Sequence, residues 1–159
     1  MGHFTGHLES MHRIGFSPAF PWGKLPLYRV TNSADPLTYW WNADYAIPLP
    51  AAFESDGASV PWPFNRGLPP CGGSQTDEQW LRAALIHDWL YQNQGYCAYE
   101  LIGYGLYNEY RKIRLPRKEC DEIFYSAMLD SGVDKTKALV MYKAVDLLGQ
   151  GPWNKHKGK

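Results

Sequence analysis

The run Leu81-Arg-Ala-Ala-Leu-Ile-His-Asp-Trp-Leu-Tyr91 constrains the fold more than any other stretch of this chain. Read at a helical repeat it is apolar nearly all round, and a helix of that kind has to be covered by other elements. Thr76, followed three residues on by Gln79, makes a capping box just ahead of it. A helix is therefore predicted from about Asp77 to Gln94. The chain that must cover it has 159 residues, 45% hydrophobic and 20% charged. That composition excludes a disordered protein and is enough for a core without disulfide staples. His87 and Asp88 stand inside the apolar run, where a polar group is costly unless it finds partners.

The surrounding pattern predicts an α+β protein: an N-terminal β-hairpin or small antiparallel sheet packed on three to four C-terminal α-helices. A single domain is expected, with an arm at 1–24, a β-rich part at 25–61, an irregular loop at 62–76, a helical part at 77–150 and a tail at 151–159. Leu25 to Val30 and Leu37 to Trp41 read as strands, joined as a hairpin by the turn-forming Asn32-Ser-Ala-Asp-Pro36. Tyr45 to Leu49 reads as a third strand, ended by Pro48 and Pro50. Residues 98 to 112 read as a helix weakened by Gly103 and Gly105. Pro116 fits the first turn of the next helix, on which Asp121, Phe124, Tyr125 and Met128 share one face. A last helix, capped by Asp134, carries Ala138, Met141, Tyr142, Val145 and Leu148 on one face and ends at Gly149 and Gly151-Pro152.

Charge and cysteine usage narrow the function classes. Sixteen basic and sixteen acidic residues cancel, which argues against nucleic-acid or anionic-membrane binding driven by net charge. No apolar run reaches the ~20 residues that span a bilayer. The start, Met1-Gly-His-Phe-Thr-Gly-His7, lacks the pattern of a signal peptide. Three cysteines, Cys71, Cys97 and Cys120, fit free thiols rather than a disulfide framework. None has a histidine near it in sequence, so none reads as a nucleophile.

The candidate chemistry rests on a few polar residues. Of five histidines, His87 alone lies in a strongly apolar helix; His3, His7 and His12 are spaced like no common zinc helix and read as surface residues. Asp121 shares a face with core residues, which directs its carboxylate inward. Asp56 sits in Ser55-Asp-Gly-Ala-Ser59, a constrained loop. A histidine held by a carboxylate is a good general base near neutral pH. A neighbouring carboxylate with loop carbonyls suits a hard ion such as calcium. Alternatively, Asp56, His87 and Asp121 form a set for a zinc-like ion.

Four motifs in order then resemble a known family: Ile47-Pro-Leu-Pro-Ala-Ala-Phe-Glu-Ser-Asp-Gly-Ala-Ser-Val-Pro61, Ala84-Leu-Ile-His-Asp-Trp-Leu-Tyr91, Cys120-Asp-Glu-Ile-Phe124, and Met141-Tyr-Lys-Ala-Val145 with Gly149 and Trp153. Between about residues 25 and 153 the chain resembles domain of unknown function 1353, an uncharacterised bacteriophage and prophage family. The resemblance implies a phage or prophage origin and no established activity. A more local resemblance is chemical. His87-Asp88-Trp-Leu-Tyr91 is similar to the His-Asp-x-Cys-Tyr helix of secreted phospholipases A2, with Leu90 in place of the cysteine, and Cys120-Asp121 is similar to the start of their partner helix. It implies His87 as the base, Asp88 as a calcium ligand with the glycine-rich 67–73 loop upstream, and Asp121 and Tyr91 as groups that orient the histidine. The paired disulfides of that family are missing, and it has no counterpart of the Asp56 motif.

Two functions are left open by these readings. One is a phage-encoded, virion-associated hydrolase, with His87, Asp121 and Tyr91 catalytic, Asp88 and Asp56 holding calcium or zinc, and an envelope lipid or another ester or amide as substrate. The other is a non-catalytic virion or assembly component, in which the same cluster is a buried structural network. Either way, other virion proteins are the expected partners, and the virion or the host cytoplasm is the expected location.

Overall fold

The structure is a computed structural model that describes residues 2–6, 11–17, 25–30, 37–50, 53–55, 75–103 and 108–156. Strands β1 (His3–Thr5), β2 (Met11–Ser17), β3 (Leu25–Val30), β4 (Thr38–Trp41), β5 (Tyr45–Pro48) and β6 (Glu54–Ser55) precede helix α1 (Gln75–Gln92). Strands β7 (Ala98–Gly103) and β8 (Glu109–Ile113) follow, and then helices α2 (Arg117–Asp130), α3 (Lys135–Leu148) and α4 (Gln150–Lys155). The α+β class is as the sequence pattern predicts. A five-stranded antiparallel sheet runs β1-β4-β5-β7-β8, and a three-stranded one runs β2-β3-β6.

Two local expectations are overturned. Residues 98 to 112 are not a helix: β7 and β8 form an antiparallel ladder from Ala98↔Ile113 to Gly103↔Glu109, and β7 adds to β5 through Tyr45↔Glu100 and Ala46↔Tyr99. The tyrosines that weaken helix propensity favour a pleated ribbon, and pairing with the open edge of β5 settles the choice. The 25–30 and 37–41 segments are both strands but not one hairpin. β3 pairs with β2 and β6, whereas β4 pairs with β1 and β5. The tight connection lies instead between β4 and β5, where Asn42 and Ala43 take left-handed backbone angles of 53° and 61°. The Asn32–Pro36 turn, Asp56, Cys71 and the irregular 62–74 stretch lie outside the described residues.

The helix boundaries follow the capping chemistry with small shifts. α1 begins at Gln75, one residue ahead of the expected cap Thr76. Pro116 is the N-cap of α2 rather than part of its first turn. Asp134 caps α3, its Oδ1 accepting from the amides of Thr136 and Lys137 at 3.1 Å each. Gly149 ends α3, but Gly151 and Pro152 lie inside the short α4, where a proline in the first turn costs no hydrogen bond. α4 thereby carries Trp153 into the core.

One core joins the large sheet to the helices: Tyr39 and Ile47 from β4 and β5, with Leu37 and Leu49 just outside their ends, meet Leu85, Ile86, Leu90, Ile123, Phe124 and Met128 from α1 and α2. Polar ties reinforce it. The Asp130 carboxylate at the end of α2 accepts from the Tyr39 hydroxyl at 2.6 Å and the Gly2 amide at 2.9 Å, fastening β1 and β4 to the helix layer. The tyrosines divide. Tyr39 is fully buried, whereas Tyr96 and Tyr110 are exposed, Tyr96 under the Arg114 guanidinium and Tyr110 against Trp40. Among the described residues, no helix is long and apolar enough to cross a membrane.

The turn out of α1 depends on Gly95. Its φ is +76°, its amide donates to the Leu90 carbonyl at 2.9 Å and its carbonyl accepts from the Leu115 amide at 3.1 Å. A β-carbon there would run into the Leu115 carbonyl. We expect Gly95→Ala to destabilise the fold by about 1–3 kcal/mol, the usual cost of a strained backbone conformation, measured by urea denaturation; an unchanged midpoint would show that this turn is not constrained as described.

Candidate functional site

His87 and Tyr91 stand one helical turn apart on α1 and so point to the same neighbour, α2. What they meet there is Asp121, whose side chain is fully buried. Asp121 Oδ1 accepts from the Tyr91 hydroxyl at 2.6 Å and lies 3.2 Å from His87 Nε2. Asp121 Oδ2 accepts from Arg117 Nη1 at 2.9 Å. Arg117 is four residues earlier on the same helix and only 20% exposed at its side chain. A buried carboxylate is tolerated when a cation and several donors surround it, and both conditions hold.

Arg117 extends the network to the third helix. Its Nη1 donates to the Val145 carbonyl and its Nη2 to the Asp146 carbonyl, each at 3.2 Å. These carbonyls belong to the last turn of α3, where the helix dipole favours a positive charge; the Val145 carbonyl also accepts from the Gly149 amide at 2.7 Å.

The imidazole is fixed in plane as well as at one nitrogen. The Phe124 ring packs on it with centroids 4.5 Å apart and the Tyr91 ring at 4.1 Å. Trp153 braces Tyr91 from the far side, edge-on at 5.1 Å. A carboxylate held by a guanidinium can only accept, so His87 Nε2 carries the proton toward it. In the neutral ring Nδ1 then keeps its lone pair.

His87, Asp88 and Tyr91 also line a cavity of about 130 Å³. Its floor is Ala84, Phe124, Met141 and Ala144, each no more than 3% exposed. Leu148, which the helical pattern assigns to the core face, is 43% exposed and lines the cavity with the exposed Pro152. Gly149 completes the wall, and a β-carbon there would collide with the Tyr91 hydroxyl.

Of the residues singled out from sequence, the structure therefore brings His87, Tyr91 and Asp121 together. Asp88 lies on the cavity wall but turns to another partner, the Ser55 hydroxyl of β6, which ties α1 to the smaller sheet. Asp56 lies outside the described residues. Arg117 was not singled out, and Gly149 was named only as a helix end and a motif residue. The i, i+4 spacing of Arg117 and Asp121 is a readable signal, whereas the approach of Tyr91 to Gly149 spans the chain and leaves none. Both Asp121 oxygens are engaged and the Arg117 cation occupies one flank. Among the described residues no group of three His, Cys, Asp or Glu side chains is placed to hold a metal ion. Burial pushes the Cys97 thiol up to about 12 and raises Cys120 further, which keeps both protonated and poor as nucleophiles.

The comparisons with known proteins come down to one family. The pattern described as "Protein of unknown function (DUF1353)" matches residues 32–145, most of the chain. The chain belongs to this family. This DUF1353 protein is also similar to "Uncharacterized protein y4iH" of Sinorhizobium fredii (strain NBRC 101917 / NGR234), 36% identical over 96 residues. The match covers 60% of this chain and 30% of the relative, so the chain spans less than a third of the relative's length. No solved structure matches it.

Two outcomes follow for stability. Arg117→Met leaves the Asp121 charge buried without its cation, and we expect a loss of about 3 kcal/mol or more in urea denaturation, partly recovered when Asp121→Asn is added; a loss within ~0.5 kcal/mol would show that the pair is not a structural tie. Tyr91 and Tyr39 both hold their protons more tightly than a free phenol at 10.0, through burial first and then through Asp121 and Asp130. The stability they contribute is complete below pH 10 and is lost as pH rises above it. Tyr91→Phe should make the alkaline decline of stability shallower, and an identical slope would contradict the assignment.

Proposed function

We propose that this DUF1353 protein is a hydrolase in which His87 is the general base. The observation that carries the reading is a histidine fixed at Nε2 by a buried carboxylate, packed against two rings and forming part of the wall of an apolar cavity. The substrate is an ester or amide whose acyl part enters the cavity. His87 Nδ1 takes a proton from a water, and the water oxygen forms a bond to the acyl carbon. The bond from that carbon to the leaving oxygen or nitrogen then breaks. The proton passes from Nδ1 to the leaving group. Asp121 stabilises the transient imidazolium, as a carboxylate behind a catalytic histidine does, and Tyr91 holds Asp121 in place. This chemistry needs no ion at Asp88. Asp88 would be the carboxylate ligand if a calcium ion joined the site, with 67–73 as the loop that the phospholipase resemblance pairs with it. The setting we propose is a phage particle or the host cytoplasm, from the family resemblance, with an envelope ester as target.

A second reading is favoured by Arg117. Because it ties Asp121 to the end of α3, the cluster would also serve as a purely structural lock in an assembly protein. The two readings part under mutation. We expect His87→Ala to lower ester hydrolysis by about 10²–10⁴-fold while the thermal midpoint stays close to wild type, since His87 is one of three donors to Asp121. Loss of several degrees in the midpoint, with no hydrolysis in the wild type, would leave the structural lock standing and remove the hydrolase. Dialysis against a chelator completes the comparison: unchanged activity fits the ion-free chemistry, and its loss would assign Asp88 to an ion.

A further inference from the structure

The same cavity has a size, and the size selects among substrates; the inference rests on the hydrolase reading. The cavity beside His87 encloses about 130 Å³ and opens between Leu148 and Pro152. A closed apolar cavity of ~150 Å³ accommodates benzene, so the figure limits what is enclosed beside the ring, not what extends through the mouth. The enclosed part therefore has room for about six non-hydrogen atoms or fewer. Its floor cannot recede cheaply. Phe124, Met141, Ala84 and Ala144 are all closed off from solvent, and Phe124 is further held against the His87 ring. Packed interiors of this kind do not swell to admit extra methylenes without strain of about 1–3 kcal/mol. The polar members of the wall, His87, Asp88 and Tyr91, stand together at the end of α1. A bound group would thus have apolar floor beneath its tail and the base beside its head.

We infer that the substrate class is a carboxylic ester or amide with a short, neutral acyl group, two to about five carbons long, and that Met141 and Ala144 set the limit. Short acyl groups fill the floor while leaving the carbonyl level with His87. Longer chains would have to fold back past Leu148 and Pro152 into solvent and would forfeit the burial of their outer methylenes, each worth about 0.8 kcal/mol. A carboxylate at the acyl end is disfavoured, because the Asp88 charge shares the wall.

The test uses the full chain and methyl esters, whose leaving group is too small to compete for the cavity. Acid release is followed for methyl butyrate and methyl dodecanoate, and binding is followed separately by NMR shifts of the His87 ring protons. The wild type should favour butyrate by at least about tenfold in kcat/KM, within the range that one misfit methylene brings. Met141→Ala, which deepens the floor, should narrow that preference. Ala144→Leu, which fills the cavity, should lower butyrate turnover by a similar factor; circular dichroism establishes that it is folded. Equal turnover of the two esters by the wild type would overturn the chain-length limit while leaving His87 as the base. Binding of methyl butyrate without turnover, abolished by Ala144→Leu, would keep the acyl site and remove the hydrolase. Neither binding nor turnover of methyl butyrate would overturn the inference itself.

Discussion

The buried Asp121 carboxylate is the constraint on which the helical half of this protein depends. A fully enclosed negative charge is stable only if the groups around it replace the water it has lost. Here the replacements come from two helices, with Tyr91 and His87 on α1 and Arg117 on α2 itself. Arg117 passes the constraint on, since the same guanidinium binds the last-turn carbonyls of α3. The relative positions of three helices are thereby coupled to one carboxyl group. Apolar packing between α1 and α2 would tolerate some sliding, but hydrogen bonds at 2.6 to 3.2 Å would not.

That coupling bears on chemistry because it acts on His87 from every side. A catalytic imidazole must present one nitrogen in a fixed direction, and fixing it normally costs side-chain entropy at each encounter with substrate. In this structure the cost is met on folding. The ring packs against Phe124 and Tyr91, and its Nε2 faces a carboxylate whose own position is set by Arg117. The two readings of the cluster, lock and base, are therefore not mutually exclusive in physical terms. A rigid lock is what a preorganised base requires, and the cavity beside the ring is what a lock alone does not require.

How much of this was legible in the sequence depends on the range of the interaction. The buried α1 followed from an apolar run with no polar face. The inward direction of Asp121 followed from its spacing to Phe124 and Met128. The Asp134 cap was readable from residue type alone. What failed was pairing. Leu25–Val30 and Leu37–Trp41 have strand composition, but composition does not say which strand each will join, and they joined different sheets. Residues 98 to 112 carry a mixed signal, and the open edge of β5, a long-range feature, decided it. Of the site, His87 and Asp121 could be proposed because each is a polar residue on an apolar face, and Tyr91 came only through the phospholipase resemblance. The smaller sheet's tie to Asp88 through Ser55 could not, because nothing local links them.

Gly149 shows how the absence of a side chain can be part of a site. It lies where α3 turns into α4, with an ordinary helical φ of −69°, so backbone freedom is not the reason for a glycine there. The reason is space. Its missing β-carbon is what lets the Tyr91 hydroxyl reach past the end of α3 to Asp121. The same close approach lets Trp153, four residues on, brace the Tyr91 ring. A side chain at 149 would push Tyr91 and Arg117 together away from Asp121 and leave the carboxylate short of two partners at once. The junction of α3 and α4 is therefore set by the requirements of a carboxylate on α2, and the mouth of the cavity, formed by Leu148 and Pro152 on either side of that junction, is set with it.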